Sequence, residues 1–275
     1  MTEKIPPFDA LIKLLGDKDE IARVAMVQLM QHYALELDEV LKQLQECDEP
    51  LLRKRSHQFQ ALLTFKKRRE FLHRIMHKQN PHYFISDALI ELHLTWFEKD
   101  SPAEIAMLYQ DFLKKYPANH PASIETLSSF FRDMQLTGLP DSTACGDLYM
   151  IGAVLNNGYG GNAFMAALAM AVNEDLELGL DLQTIHFEDK FYLHDKKTNI
   201  VTDIRKVWDT KTVNFSEFKI FDNSQLLKYI GALCFCNAVH RDEFRYIQII
   251  GEILAAHHDL SSLPYPYGQT GKNQK

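Results

Sequence analysis

Between Ala163 and Glu174 the chain reads Ala-Phe-Met-Ala-Ala-Leu-Ala-Met-Ala-Val-Asn-Glu, a helix with almost no polar face. Such a helix has to be enclosed on most sides, and its small side chains let neighbouring elements approach closely. That requires a sizeable core. A chain of 275 residues, 46% hydrophobic and 24% charged, is long and apolar enough for one large or two modest domains. The loop before the helix, Asn156–Gly161, is rich in Asn and Gly and predicts backbone at positive φ. After it come Leu182–Phe187, Lys190–Leu193 and Ile200–Asp203, which alternate polar and apolar residues. Turns at Glu188-Asp189 and Lys196–Asn199 make these a small antiparallel sheet packed on the helix.

The rest of the pattern is helical. Phe8–Leu15, Glu20–His32 (with Asp17 to Asp19 as caps), Leu35–Gln45 and Leu51–Lys78 suggest short HEAT-like pairs. Pro81–Phe97, Ala103–Tyr116, Ser123–Leu136 and Gly146–Leu155 follow, with Gly138–Ser142 as a turn. Ser101-Pro102-Ala103-Glu104 is a start signal, with Ser as N-cap and Pro at the first helical position. Ser224–Ala238 and Asp242–Ala256 make a closing hairpin. The expected fold class is α+β, mostly α.

Net charge is −7. A mildly acidic chain exerts no overall pull on nucleic acid or anionic lipid. The first residues lack an apolar signal core, and no window reaches the roughly 18 uninterrupted apolar residues of a spanning helix. A cytoplasmic protein without a membrane partner is expected. Cys47, Cys145, Cys234 and Cys236 are too few and scattered for a disulfide framework or a zinc knuckle, and are read as reduced thiols.

The order of parts resembles the SirB-type transglutaminase-like family with a C-terminal TPR-like helix pair. The resemblance rests on Gly161-Asn162-Ala163-Phe164-Met165-Ala166-Ala167-Leu168, then Lys190-Phe191-Tyr192-Leu193, then Thr202-Asp203-Ile204. It extends through Leu226–Leu233 and Arg241–Leu254, over roughly residues 80–258. It implies a HEAT-like region at 1–79, a papain-like, transglutaminase-like core at 80–222, a TPR-like hairpin at 223–260 and a flexible tail at 261–275. In that family the nucleophile position falls on Met165 and the His position on Lys190. A thioether gives up no proton, and a lysine is normally cationic at neutral pH. Of a triad only Asp203 remains. The resemblance therefore implies a catalytically inactive protein acting on a protein partner or ligand, with a vestigial cleft of Asn162, Met165, Lys190, Tyr192 and Asp203.

Three other chemistries have candidate residues. Cys145 follows Asp141-Ser142-Thr143 near a helix start, and His186 or His194 could serve as base with Asp195 or Asp203 orienting it, giving a cryptic acyl-transfer or hydrolase site. The alternative is a packed thiol. Arg53-Lys54-Arg55 and Lys66-Lys67-Arg68-Arg69 load one helix with positive charge, and Arg55, Lys66 and Arg69 fall within about 40° of one face. This basic helix, 53–69, could track phosphates. The blander reading is a solvated face, and no nucleic-acid motif supports the sharper one. His73 and His77 stand four apart but lack the Glu of a zinc motif, so they too read as part of a solvated basic helix, and His257-His258 as helix capping. No cofactor and no metal are expected.

Overall fold

The computed structural model describes residues 6–33, 37–79, 82–143, 145–205, 208–212 and 218–255. The tail at 261–275 and His257-His258 lie outside the described residues. The chain divides into two compact units, Met1–Arg68 and Arg69–Lys275. Among the described residues, no helix is long and apolar enough to cross a membrane.

The first unit is helical: α1 (Phe8–Leu14), α2 (Asp19–His32), α3 (Leu37–Gln45) and the first part of α4 (Pro50–Met76). Leu11, Leu15, Leu29, Leu37, Leu41, Phe59 and Leu63 form its core. The Tyr33 hydroxyl donates to the Pro6 carbonyl at 3.0 Å and its ring meets Phe8 edge-on, which ties the start of α1 to the end of α2. The expected Asp17–Asp19 cap is absent. Lys18 is the N-cap residue without a side-chain bond, and Asp17 accepts from the Lys18 amide.

The second unit is mostly helical with a small antiparallel sheet. Its helices are α5 (Ile85–Trp96), α6 (Pro102–Leu113), α7 (Ile124–Asp133), α8 (Ile151–Asn157), α9 (Asn162–Asp175), α10 (Asn223–His240) and α11 (Phe244–Leu254). Ser101 caps α6 as its sequence predicts, with Pro102 in the first turn. Asp222 and Gln225 form a reciprocal capping box on α10. α9 is enclosed: every residue from Asn162 to Ala169 is buried. Its neighbours in one continuous core include Leu89 and Leu92 of α5, Ile230 of α10 and Ile250 of α11. The closing hairpin thus shares the core of α9 rather than forming a satellite of its own.

The sheet runs β6-β5-β4-β3-β7 (Asp209–Thr212, Ile200–Asp203, Lys190–Asp195, Leu182–Phe187, Lys219–Phe221), all neighbours antiparallel. Glu188 and Asp189 both take positive φ, the type I′ geometry that a two-residue hairpin favours. Asp195 ties the next turn by accepting from the Lys197 amide and the Thr198 hydroxyl. The alternation of β4 sets two faces. Phe191 and Leu193 join the main core, whereas Tyr192 packs with Ile185 and Val201 in a separate small cluster. We call the first face inner and the second outer.

Three details depart from the sequence reading. Gly146–Leu155 is not one helix: a 3-10 turn at Gly146–Tyr149 precedes α8, and Met150 stands between them in extended backbone. The stretches taken as turn and loop hold β1 (Thr137–Leu139) and β2 (Tyr159–Gly161), which pair in parallel. β6 (Asp209–Thr212) has no alternating apolar pattern to reveal it. All four residues of β6 are exposed, and an exposed edge strand has no inner face to mark.

Candidate functional site

In a transglutaminase-like layout the chemistry would sit at the N-terminus of α9. Its N-cap is Gly161, which has no side chain to bond the free amides of the first turn. Asp141, from the turn after β1, supplies the acceptor instead. Its carboxylate lies 3.3 Å from the Ala163 amide, and the Tyr149 hydroxyl donates to it at 3.0 Å. Negative charge at a helix N-terminus is favoured by the aligned peptide dipoles. Burial nevertheless pushes the Asp141 carboxyl up to about 6, against the opposing pull of the Tyr149 hydroxyl and the Ala163 and Asn162 amides. Burial, and then the Asp141 charge, push the Tyr149 hydroxyl upward as well. Asn162 is buried, and its Oδ1 has no hydrogen-bond partner. That oxygen and the Ile204 carbonyl crowd Gly138 so closely that no side chain fits there.

A carboxyl held above its ordinary value is less stable charged in the fold than in the unfolded chain. Its contribution is therefore best at low pH and is lost as pH rises from about 4 to about 6. Asn keeps an acceptor for the amide without the charge. Asp141→Asn should raise stability at pH 7 by about 1–2 kcal/mol, and the difference should vanish below about pH 4. Denaturant titrations at several pH values measure this. A variant less stable than the parent at neutral pH would refute it.

The residues read as a vestigial cleft are divided by the sheet. Met165 is wholly buried, with Gly160 packed against its Sδ, and Asn162 lies on the same inner side. Lys190, Tyr192 and Asp203 hold outer-face register positions: Tyr192 pairs with Asp203, and Lys190 is two residues from Tyr192 on the same strand. The inner residue at the start of β4 is Phe191, one place from the expected Lys190, so the five residues do not line one cleft. Asp203 is engaged by Arg205, whose Nη2 lies 2.6 Å from it. Burial would raise this carboxyl, but the Arg205 hydrogen bonds hold it below the ordinary value.

The residues of the thiol alternative are divided by the sheet too, with His186 on the inner face and His194 and Asp203 on the outer. Cys145 is half-buried at the start of the 3-10 turn. His186 faces inward among Phe191, Phe221 and Tyr229, and burial lowers its proton affinity. His194 faces outward and is held by Gln183 and Asn199. Cys234 is buried and its thiol is pushed upward by that burial.

The three residues aligned on the basic helix have internal partners. Arg55 is 6% exposed and bonds the carbonyls of Leu15 and Asp17 and the carboxylate of Asp19. Lys66 reaches the Met30 carbonyl, and Arg69 pairs with Glu252 at 2.7 Å. His73 is likewise buried rather than solvated. Among the described residues, no group of three or more His, Cys, Asp and Glu could hold a metal ion.

Two cavities of the second unit lie elsewhere. One, of about 560 Å³, is bounded by Phe84, Asp87, Tyr109, Glu174 and Asp175. The other, of about 410 Å³, shares Phe84, Asp87 and Glu174 with it. Their carboxylates have work within the fold: Glu174 accepts from the Ile85 amide at the start of α5, and Asp175 accepts from the Tyr109 hydroxyl at 2.7 Å. Burial raises both the Asp87 and the Glu174 carboxyl.

Asp141 had escaped the sequence reading as a site residue. It stands 22 positions before the amide it bonds, and only the β1–β2 pairing brings the two together. No protein-family model, curated protein or solved structure matches the chain.

Proposed function

We propose that the chain is a catalytically inactive transglutaminase-like protein that acts by binding a partner or ligand. One observation carries the reading. The helix end where such a fold would keep its nucleophile is filled by the chain's own Asp141 carboxylate and Tyr149 hydroxyl, with Met165 sealed beneath. A carboxylate in that place competes with any developing oxyanion for the same amides, the reverse of what acyl transfer needs. The order of a buried helix followed by antiparallel strands supports the family resemblance. Space for a ligand exists near Phe84, at the C-terminal end of α9 rather than at its N-terminus.

The experiment is a paired assay on the full chain. Glutaminyl and ester substrates are offered, and Cys145 is alkylated with iodoacetamide across pH 6–9. No turnover of either substrate, before or after Cys145 is alkylated, is the expected result. An acyl burst abolished by Cys145→Ala would overturn the proposal and establish the thiol alternative.

A further inference from the structure

The end of α11 is held by two stacked imidazoles. His73, in the last turn of α4, places Nδ1 3.1 Å from the Ile253 carbonyl. His77, one turn on, lies over it with ring centroids 4.4 Å apart and planes 34° apart. The Leu254 and Ile253 carbonyls also act on His77, whose Nε2 is buried without a partner. These carbonyls belong to the final turn of α11, where the helix itself supplies no donors. Below them α4, α10 and α11 meet closely. A β-carbon at Gly231 of α10 would lie 3.2 Å from both Met76 and Leu254, tighter than ordinary van der Waals contact.

The charges around this pair come from all three helices. Lys228 on α10 repels a protonated His77. On α4 stand Arg69, Glu70 and Arg74, with Lys78 just beyond its end. Arg69 is paired with Glu252 of α11, Arg74 donates to the Glu70 carbonyl, and Lys78 is paired with Asp222. The Leu254 and Ile253 carbonyls favour a proton on the pair. A second proton sets two cations face to face in a partly desolvated site beside Lys228.

We propose that the His73–His77 stack is an acid-sensitive latch on α11. With at most one proton it holds the last turn of α11 against α4, and with two it releases that turn. Burial first, then Lys228 and His73, hold His77 below the ordinary imidazole value of 6.5. The unfolded or released form therefore binds protons more readily, so the latch is closed above about pH 6.5 and weakens as pH falls below it.

Hydrogen exchange on the full chain tests this, read at pH 7.5 and 5.5 after correction for intrinsic exchange chemistry. Opening of α11 should become about tenfold more frequent at the lower pH, while α9 stays unchanged. His77→Phe keeps a stacking ring without a proton and should reduce the response to under about twofold. Lys228→Gln, an exposed change, should shift the opening to lower pH, and serves if the Phe variant folds poorly. The latch is refuted if α11 shows no acceleration, if α9 accelerates equally, or if the folded variants respond as the parent does.

Discussion

Arg55→Ala should destabilise the N-terminal helical unit by about 2–4 kcal/mol. The guanidinium is almost wholly buried and donates to the Leu15 carbonyl at 2.6 Å, to the Asp17 carbonyl and to Asp19. Those carbonyls close the turn from α1 into α2, which has no side-chain N-cap of its own. Truncation strips both carbonyls of a charge-assisted donor and leaves a void beside Leu15, itself buried. Lys would restore the charge but not the planar fork that reaches two sites at once, so Arg55→Lys should recover less than half of the loss. Hydrogen exchange of α1 and α2 amides in the full chain reads the effect locally. A change under about 0.5 kcal/mol would show that the clamp contributes nothing beyond a surface pair.

Arg55 also shows what one sequence conceals. Its helical phase with Lys66 and Arg69 is real, yet phase does not say whether a face is solvated. Nothing local to Arg53-Lys54-Arg55 separates the last residue from the two exposed ones before it. Reversing charge at Arg55 would report folding rather than nucleic-acid affinity, and Arg53 and Lys54 are the informative positions. Features set by short-range pattern were legible. The enclosure of α9, the strands Leu182–Phe187 and Ile200–Asp203, the Glu188-Asp189 turn and the Ser101 cap all follow from composition or spacing of adjacent residues. Features set by distant pairing were not. The β1–β2 ladder, the Asp141 plug and the His73 contact join residues 22 to 180 positions apart. A one-residue ambiguity in β4 was enough to exchange Phe191 for Lys190 on the inner face, because side chains alternate along a strand.

The same limit governs Gly161, for which a second large effect is expected. Gly161→Ala should cost about 2–3 kcal/mol. The loop Asn156–Gly161 predicts backbone at positive φ, and Gly158 supplies it at φ 79°. Gly161 has φ −61°, a value any residue accepts, so conformational freedom is not what it supplies. It supplies closeness. A β-carbon there would run into the Tyr149 ring and the Asp141 carboxylate, the two groups that close the N-terminus of α9. Neither can retreat cheaply, since Tyr149 is 1% exposed and Asp141 is held by the Ala163 amide. The methyl must displace the ring, lengthen the Asp141 contact, or shift the helix. Shrinking the obstacle should restore part of the loss. In the double variant Gly161→Ala with Tyr149→Leu, the penalty of the alanine should fall to under about 1 kcal/mol relative to Tyr149→Leu alone, a coupling that identifies the ring as its cause. Equal penalties in both backgrounds, measured by denaturant unfolding, would place the constraint in the β1–β2 backbone instead.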